Sequence, residues 1–229
     1  MKSCLFCSQN LKYDLSLNTI FSFHALKNPL ACQRCLDTFQ RINSETACAG
    51  CSRQQTKTAF CEDCKKWQIF SPEIKPDHRS LFVYNDIARQ YMSDFKFQGD
   101  VHLAKLWGDD IHHFLKPYTK THVLTVIPAS RSSYQKRGFN QVELLLKYAN
   151  IAYNPLIKHV KDTALQSSQT RSERLKSVQP FELISPEGYD IIKKPVLIID
   201  DVYTTGRTIF HARELLQTAV STASMTLFR

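Results

Sequence analysis

Eight cysteines are the first residues of this 229-residue chain whose spacing implies chemistry. They form four C-x-x-C pairs, Cys4/Cys7, Cys32/Cys35, Cys48/Cys51 and Cys61/Cys64, and no cysteine follows Cys64. A two-residue gap lets both thiolates of a pair face one ion from a tight turn, and two pairs complete a tetrahedral Cys4 shell for Zn2+. Four pairs with nothing left over predict two structural zinc ions. Closed shells leave no open coordination position, so zinc catalysis is not expected. Sequential use puts Cys4, Cys7, Cys32 and Cys35 at one ion and Cys48, Cys51, Cys61 and Cys64 at the other. That closes the shortest loops, at the least entropy. An interleaved cross-brace stays open. Disulfides, redox motifs and an iron–sulfur centre are the competing readings. Disulfides fit a cytosolic chain poorly, and one redox site would not need four pairs.

The second constellation lies at 196–208, VLIIDDVYTTGRT. An apolar strand runs into Asp200 and Asp201, then into Thr204, Thr205, Gly206, Arg207 and Thr208 before a helix. Open α/β sheets place ligands at the carboxyl ends of their strands. The two acids could accept hydrogen bonds from neighbouring ribose hydroxyls, and Gly206 lets the backbone approach closely. The amides of 204–208 and the threonine hydroxyls could wrap a phosphate at the helix N-terminus. Two adjacent acids ending a buried strand are costly without a purpose. A third stretch, IPASRSSYQKRGFNQ at 127–141, also follows an apolar run. The histidines are scattered apart from His112-His113, which reads as structural or exposed.

These residues need a scaffold. Apolar and β-branched runs predict strands at 81–84, 122–127, 156–160, 196–199 and 223–228. Apolar residues at helical spacing predict helices over 86–97 and 103–114 and helical stripes spanning 139–149 and 209–219. Strands alternating with helices imply an α/β fold: a mostly parallel, Rossmann-like sheet with helices on both faces. The prolines of SPEIKP, 71–76, mark a linker between a cysteine module at 1–70 and an α/β domain at 77–229. The polar stretch 161–180 is long for a loop, which points to a basic lid over a site or to a surface insertion. Composition is that of a globular protein, 43% hydrophobic and 22% charged. No apolar run is long enough for a membrane span, and the N-terminus lacks the apolar core of a signal peptide, so the expected location is the cytoplasm. The formal charge of +9 suggests a polyanionic partner. Each Zn(Cys⁻)4 unit carries −2, which brings the total to about +5, all of it on the α/β domain.

The 196–208 stretch resembles the phosphoribosyl-pyrophosphate (PRPP) motif of type I phosphoribosyltransferases: apolar strand, two acids, two spacers, then Thr-Thr-Gly-Arg-Thr. Arg137-Gly138-Phe139-Asn140-Gln141 resembles the RGFNQ motif of the ComF family of competence proteins. The stretch Gln169 to Arg174 followed by Phe181 resembles that family's mobile loop, and the four N-terminal C-x-x-C pairs match its double zinc-ribbon arrangement. The resemblance covers nearly the whole chain. It departs at Ser133 and Ser177, where the family often has arginine and asparagine.

The resemblance implies PRPP binding by Asp200, Asp201, Thr204, Thr205, Gly206, Arg207 and Thr208, with Asp200 and Asp201 as the catalytic pair if the protein is an enzyme. It implies a pyrophosphate loop at Ala129, Ser130 and Arg131, a mobile loop carrying Arg171, Arg174 and Lys176, and Mg2+ accompanying PRPP. It further implies handling of incoming single-stranded DNA in natural transformation, and a partnership with the helicase-like ATPase of the competence operon (ComFA). Lys136, Arg137, Arg171 and Arg174 could track DNA phosphates, and Tyr134 and Phe139 could stack on bases, although Phe139 also suits a helix core. The alternative is an active Mg2+-dependent phosphoribosyltransferase acting on a base or other acceptor.

Overall fold

A computed structural model of the chain describes residues 3–11, 29–160, 179–184 and 193–229, with the side chains of Phe97 and Gln98 excepted. Four strands, β1 (His78–Phe82), β2 (Val123–Val126), β5 (Val196–Val202) and β6 (Thr222–Phe228), form one sheet in the order β1-β6-β5-β2. Every neighbouring pair in it is parallel. The run VLII at the start of β5 is buried on both sides, as a central parallel strand requires.

Side chains alternate across a strand, and β5 divides them cleanly. Leu197 and Ile199 join a core with Leu124, Val126, Met225 and Leu227. Over that face pack α3 (Asp86–Ser93), α4 (Gly108–Leu115) and α6 (Gln141–Ala149), through Tyr91, Ile111 and Leu146 among others. Val196 and Ile198 join a second core with Ile209, Ala212 and Leu216 on and beside α7 (Arg207–Leu215). Cys48, Cys51, Cys61 and Cys64 belong to that same apolar cluster. On the β1/β6 side of the sheet, the buried His78 ring bonds Ser80, Ser224 and Thr226 at 2.8–3.2 Å. Burial, with Arg229 nearby, holds its pKa well below the usual histidine range, so the ring is neutral.

The N-terminal module contributes to the main core. Phe39, just beyond the short α1 (Gln33–Leu36), lies 4.9 Å from the Trp107 ring and 6.1 Å from Tyr91. Between modules, α2 (Glu62–Phe70) stacks Trp67 on Phe210 of α7, 4.4 Å apart and 19° from parallel.

Three expectations change. The helix over 86–97 ends at Ser93 and continues as a π-helical turn, Asp94–Gln98, closed by Gly99. The helix over 103–114 divides into a 3-10 turn, Val101–Lys105, and α4. The division lets Gly108 pass so close to α6 that a β-carbon there would sit 2.6 Å from the Tyr148 carbonyl oxygen. The strand at 156–160 forms as β3 (Ile157–His159), but it pairs antiparallel with β4 (Phe181–Leu183) outside the parallel sheet. The Val160 amide donates to the Pro180 carbonyl at 2.8 Å, so the ends of the long polar stretch meet. Residues 161–178 themselves, with Arg171, Arg174, Lys176 and Ser177, lie outside the described residues. No helix among the described residues is long and apolar enough to cross a membrane.

Candidate ligand cleft and metal centres

A cleft of about 350 Å³ opens at the carboxyl end of β5 and β2, in the size range of small-molecule sites. Strand β5 carries Asp200 and Asp201 to its floor, the following turn adds Thr204, and the first turn of α7 adds Thr208. The loop after β2 supplies Pro128 and Ala129, and the 131–141 region supplies Ser133, Arg137, Asn140 and Gln141. Of the residues read as ligand-binding, Ala129, Asp200, Asp201, Thr204 and Thr208 therefore line one cavity. Ser130 instead caps α5 (Arg131–Arg137), accepting from the Ser133 amide at 3.2 Å. Arg131, Lys136 and Thr205 are exposed, Gly206 is buried at the N-cap of α7, and Arg207 begins that helix.

The RGFNQ motif is a corner between two helices. Gly138 ends α5 in the left-handed conformation at φ 78°. Phe139 turns inward against Phe95, 5.7 Å away, and so precedes α6 rather than lying on its face. Asn140 caps α6, accepting from the Val142 amide at 2.9 Å and donating to the Ile127 carbonyl at 3.0 Å. Arg137 donates to Gln141 Oε1 at 2.8 Å. That bond fixes the amide so that Gln141 Nε2, 97% buried by residue, has no partner. A buried unpaired donor costs about 1–3 kcal/mol, and an acceptor oxygen entering the cleft would satisfy it.

The charges in the cleft are mixed. Lys96 Nζ, on the π-helical turn, lies 2.8 Å from Asp201 Oδ2. The half-buried Asp200 accepts from the Asp201 amide at 2.9 Å. Burial, and then the adjacent Asp201 charge, push its carboxyl up to about 8, against the pull of the Asp201 amide and Lys96. Lys96 and Gln141 were not singled out as ligand residues from sequence. Lys96 is flanked by Phe95 and Phe97 inside an apparent helix, and Gln141 shows its importance only through the unpaired amide.

The turn after β5 is shaped by Gly206 at φ 82°. A β-carbon there would sit 2.1 Å from the Tyr203 hydroxyl, so the position excludes any side chain. The Tyr203 ring lies 4.2 Å from that of His78 and holds the turn from below.

The cysteines form two groups, Cys4/Cys7/Cys32/Cys35 and Cys48/Cys51/Cys61/Cys64, with all sulfurs of a group within 4.8 Å of one another. This is the sequential pairing. Measured separations are 3.7 Å for Cys7–Cys32, 3.7 Å for Cys48–Cys64 and 3.5 Å for Cys51–Cys61. A tetrahedron with Zn–S bonds of about 2.3 Å has edges of about 3.8 Å, whereas a disulfide needs about 2.05 Å. The donor sets thus fit a thiolate-bound metal. Amides of Phe6 and Cys32 point at Cys4 Sγ, and that of Cys61 at Cys48 Sγ. Such contacts stabilise thiolate. Burial pushes Cys4 up, but the amides of Cys32, Cys7 and Phe6 overcome it and bring the pKa to about 6. Cys51 falls to about 4, chiefly by a hydrogen bond from Cys64 and then by the charge of Arg229.

No family model matches the chain. The chain is 38% identical over 216 residues to competence protein ComFC of Streptococcus pneumoniae, covering 94% of each chain. The chain belongs to the ComFC family. It is also 34% identical to competence protein ComFC of Bacillus subtilis, across 99% of this chain and 94% of that protein. Competence protein F of Haemophilus influenzae shares 24% identity over 74% of this chain and 83% of its own length. Among solved structures, a hypoxanthine phosphoribosyltransferase from Staphylococcus aureus overlaps with a TM-score of 0.33 and 20% identity, over 58% of this chain and 64% of that one. Placement of this ComFC-family chain among parallel α/β folds rests on its own strand order.

Proposed function

We propose that this ComFC-family protein binds PRPP or another ribose phosphate with Mg2+ in the cleft at the end of β5. We further propose that it serves the cytoplasmic handling of single-stranded DNA in natural transformation, alongside the helicase-like ATPase of the competence operon. The observation that carries the ligand reading is the convergence in one cavity of adjacent acids, threonine hydroxyls, two cations and an unpaired buried amide donor. Asp200 and Asp201 offer acceptors to ribose hydroxyls. Lys96, Arg137 and Gln141 Nε2 offer donors to phosphate oxygens, and the Thr204–Thr208 turn offers its amides and hydroxyls. Hard carboxylate oxygens nearby suit Mg2+ brought in by a pyrophosphate. The competence role is supported by the names of the two full-length relatives. Two structural zinc ions in the cysteine groups complete the proposed cofactors.

Titration calorimetry with PRPP and Mg2+ tests the ligand reading. Wild type is expected to bind saturably, and the Asp200→Ala/Asp201→Ala double variant to lose the signal while retaining its fold by circular dichroism. Absence of heat from wild type at millimolar ligand removes the reading. Fluorescence anisotropy on single-stranded DNA across a salt series tests the DNA role separately. Affinity should fall steeply with salt, and absence of binding at low salt defeats it.

A further inference from the structure

The second cysteine group and the phosphate turn are joined by two side chains. The Arg229 guanidinium donates from Nε to the Cys51 carbonyl at 3.1 Å and from Nη2 to Cys51 Sγ at 3.3 Å. Its remaining nitrogen, Nη1, donates to the Thr204 carbonyl at 3.1 Å and reaches the Tyr203 carbonyl at 3.5 Å. The same fork lies 4.8 Å over the Tyr203 ring. Its backbone is fixed between Phe82 and Tyr84 by bonds of 2.9 and 2.8 Å. Trp67 follows Cys64 by three residues on α2, and its Nε1 donates to the Thr205 carbonyl at 2.9 Å.

Two successive carbonyls of the turn, Thr204 and Thr205, are thus drawn toward the cysteine module. A trans peptide is planar, with N–H opposite C=O. Fixing those carbonyls therefore aims the amides of Thr205 and Gly206 the other way, in the direction an anion on the turn would occupy. The guanidinium fork is rigid, so a shift of Cys51 is passed to Thr204.

We propose that the Cys48/Cys51/Cys61/Cys64 group, acting through Arg229 and Trp67 as positioning residues, sets the geometry of the 203–206 turn and with it anion binding in the cleft. The anion part rests on the ribose-phosphate reading above, while the positioning part does not.

The test uses the full zinc-loaded chain with the variants Arg229→Gln and Trp67→Phe. Hydrogen exchange followed by mass spectrometry reads the 203–208 amides, and metal analysis reads zinc per chain. With zinc retained, Arg229→Gln should speed exchange in 203–208 by about tenfold or more, and Trp67→Phe by a fewfold. Segment 141–149 should not change, which separates positioning from general destabilisation. PRPP titration should show matching losses of affinity. If wild type takes up no PRPP, the cleft reading fails and the exchange data still decide the coupling. If Arg229→Gln sheds its zinc, Trp67→Phe, which donates to no cysteine, decides it. Wild-type exchange in 203–208 for Trp67→Phe, or for a zinc-retaining Arg229→Gln, overturns the proposal.

Discussion

The two cysteine groups share a ligand set and differ in surroundings. In the first, Cys4 is buried, Cys32 and Cys35 are half-buried and Cys7 is exposed. Its small apolar cluster holds Cys4, Leu11 and Ala31. In the second, all four cysteines are buried and share a cluster with Val196 and Ile198 of the central strand. The same motif thus does two jobs. At the margin it ties chain segments together. Against the sheet it is part of the core, and it sits directly behind the turn that closes the cleft. What a C-x-x-C pair contributes depends on the face against which it packs, which spacing alone does not specify.

The largest expected effect breaks the equivalence of the two groups. Removing one ligand from a buried Cys4 shell leaves buried sulfurs without their metal and loosens the face that covers β5. Cys64→Ser is therefore expected to cost about 4–5 kcal/mol or more and to abolish a cooperative thermal transition. Cys7→Ser should lower zinc toward one ion per chain while the sheet still melts cooperatively. Calorimetry together with metal analysis checks this, and equal losses from the two substitutions would erase the distinction.

A smaller effect is expected at the seam between the second group and the turn. Gly206→Ala forces a β-carbon against the Tyr203 hydroxyl at 2.1 Å and into a conformation at φ 82°. Strain of that kind costs about 1–3 kcal/mol. The melting temperature should fall by several degrees while zinc stays bound, and PRPP affinity should fall with it. A variant that keeps wild-type melting and affinity would show that the turn yields more freely than its packing implies.

The cysteine spacing and the strand–acid–threonine–glycine pattern were legible because each is local: a few consecutive residues carry both the geometry and the chemistry. Loop length favoured sequential pairing and left a cross-brace open, which the grouping of the sulfurs resolves, and strand β5 followed from an apolar run ending in acids. The missed features are non-local. Lys96 reaches Asp201 because a π-helical turn shifts the phase of its helix, which a period of 3.6 does not show. Phe39 enters the main core from a segment with no apolar periodicity. Strand β4 has three residues, too few to display alternation, and is defined by its partner β3. The hold of Arg229 and Trp67 on the turn spans contacts 25 and 138 residues apart in sequence, and Arg229 reaches Cys51 across 178.

The smallest effect separates behaviour governed by metal from behaviour governed by the acids. Thiolate-bound metal is lost as pH falls, so with the proposed zinc ions bound both cysteine groups are expected to weaken the protein on the acid side. Asp200 has the opposite slope. Its folded pKa of about 8 stands above the unfolded value of about 3.9, so the folded state holds the extra proton between those limits. Stability from this group is full below about pH 4 and declines as pH rises toward 8. Asp200→Asn cannot ionise and escapes the decline. It should melt above wild type at pH 8 and close to it near pH 4, with the acid-side loss of zinc unchanged. Ligand binding should respond in the reverse sense, because the ionised carboxylate is the acceptor for ribose hydroxyls. Wild-type affinity for PRPP should rise about fivefold from pH 7 to pH 8, and the variant should bind weakly at both. Parallel melting curves for the two proteins across pH 4–8 would assign the slope to other groups and detach Asp200 from the pH response of the cleft.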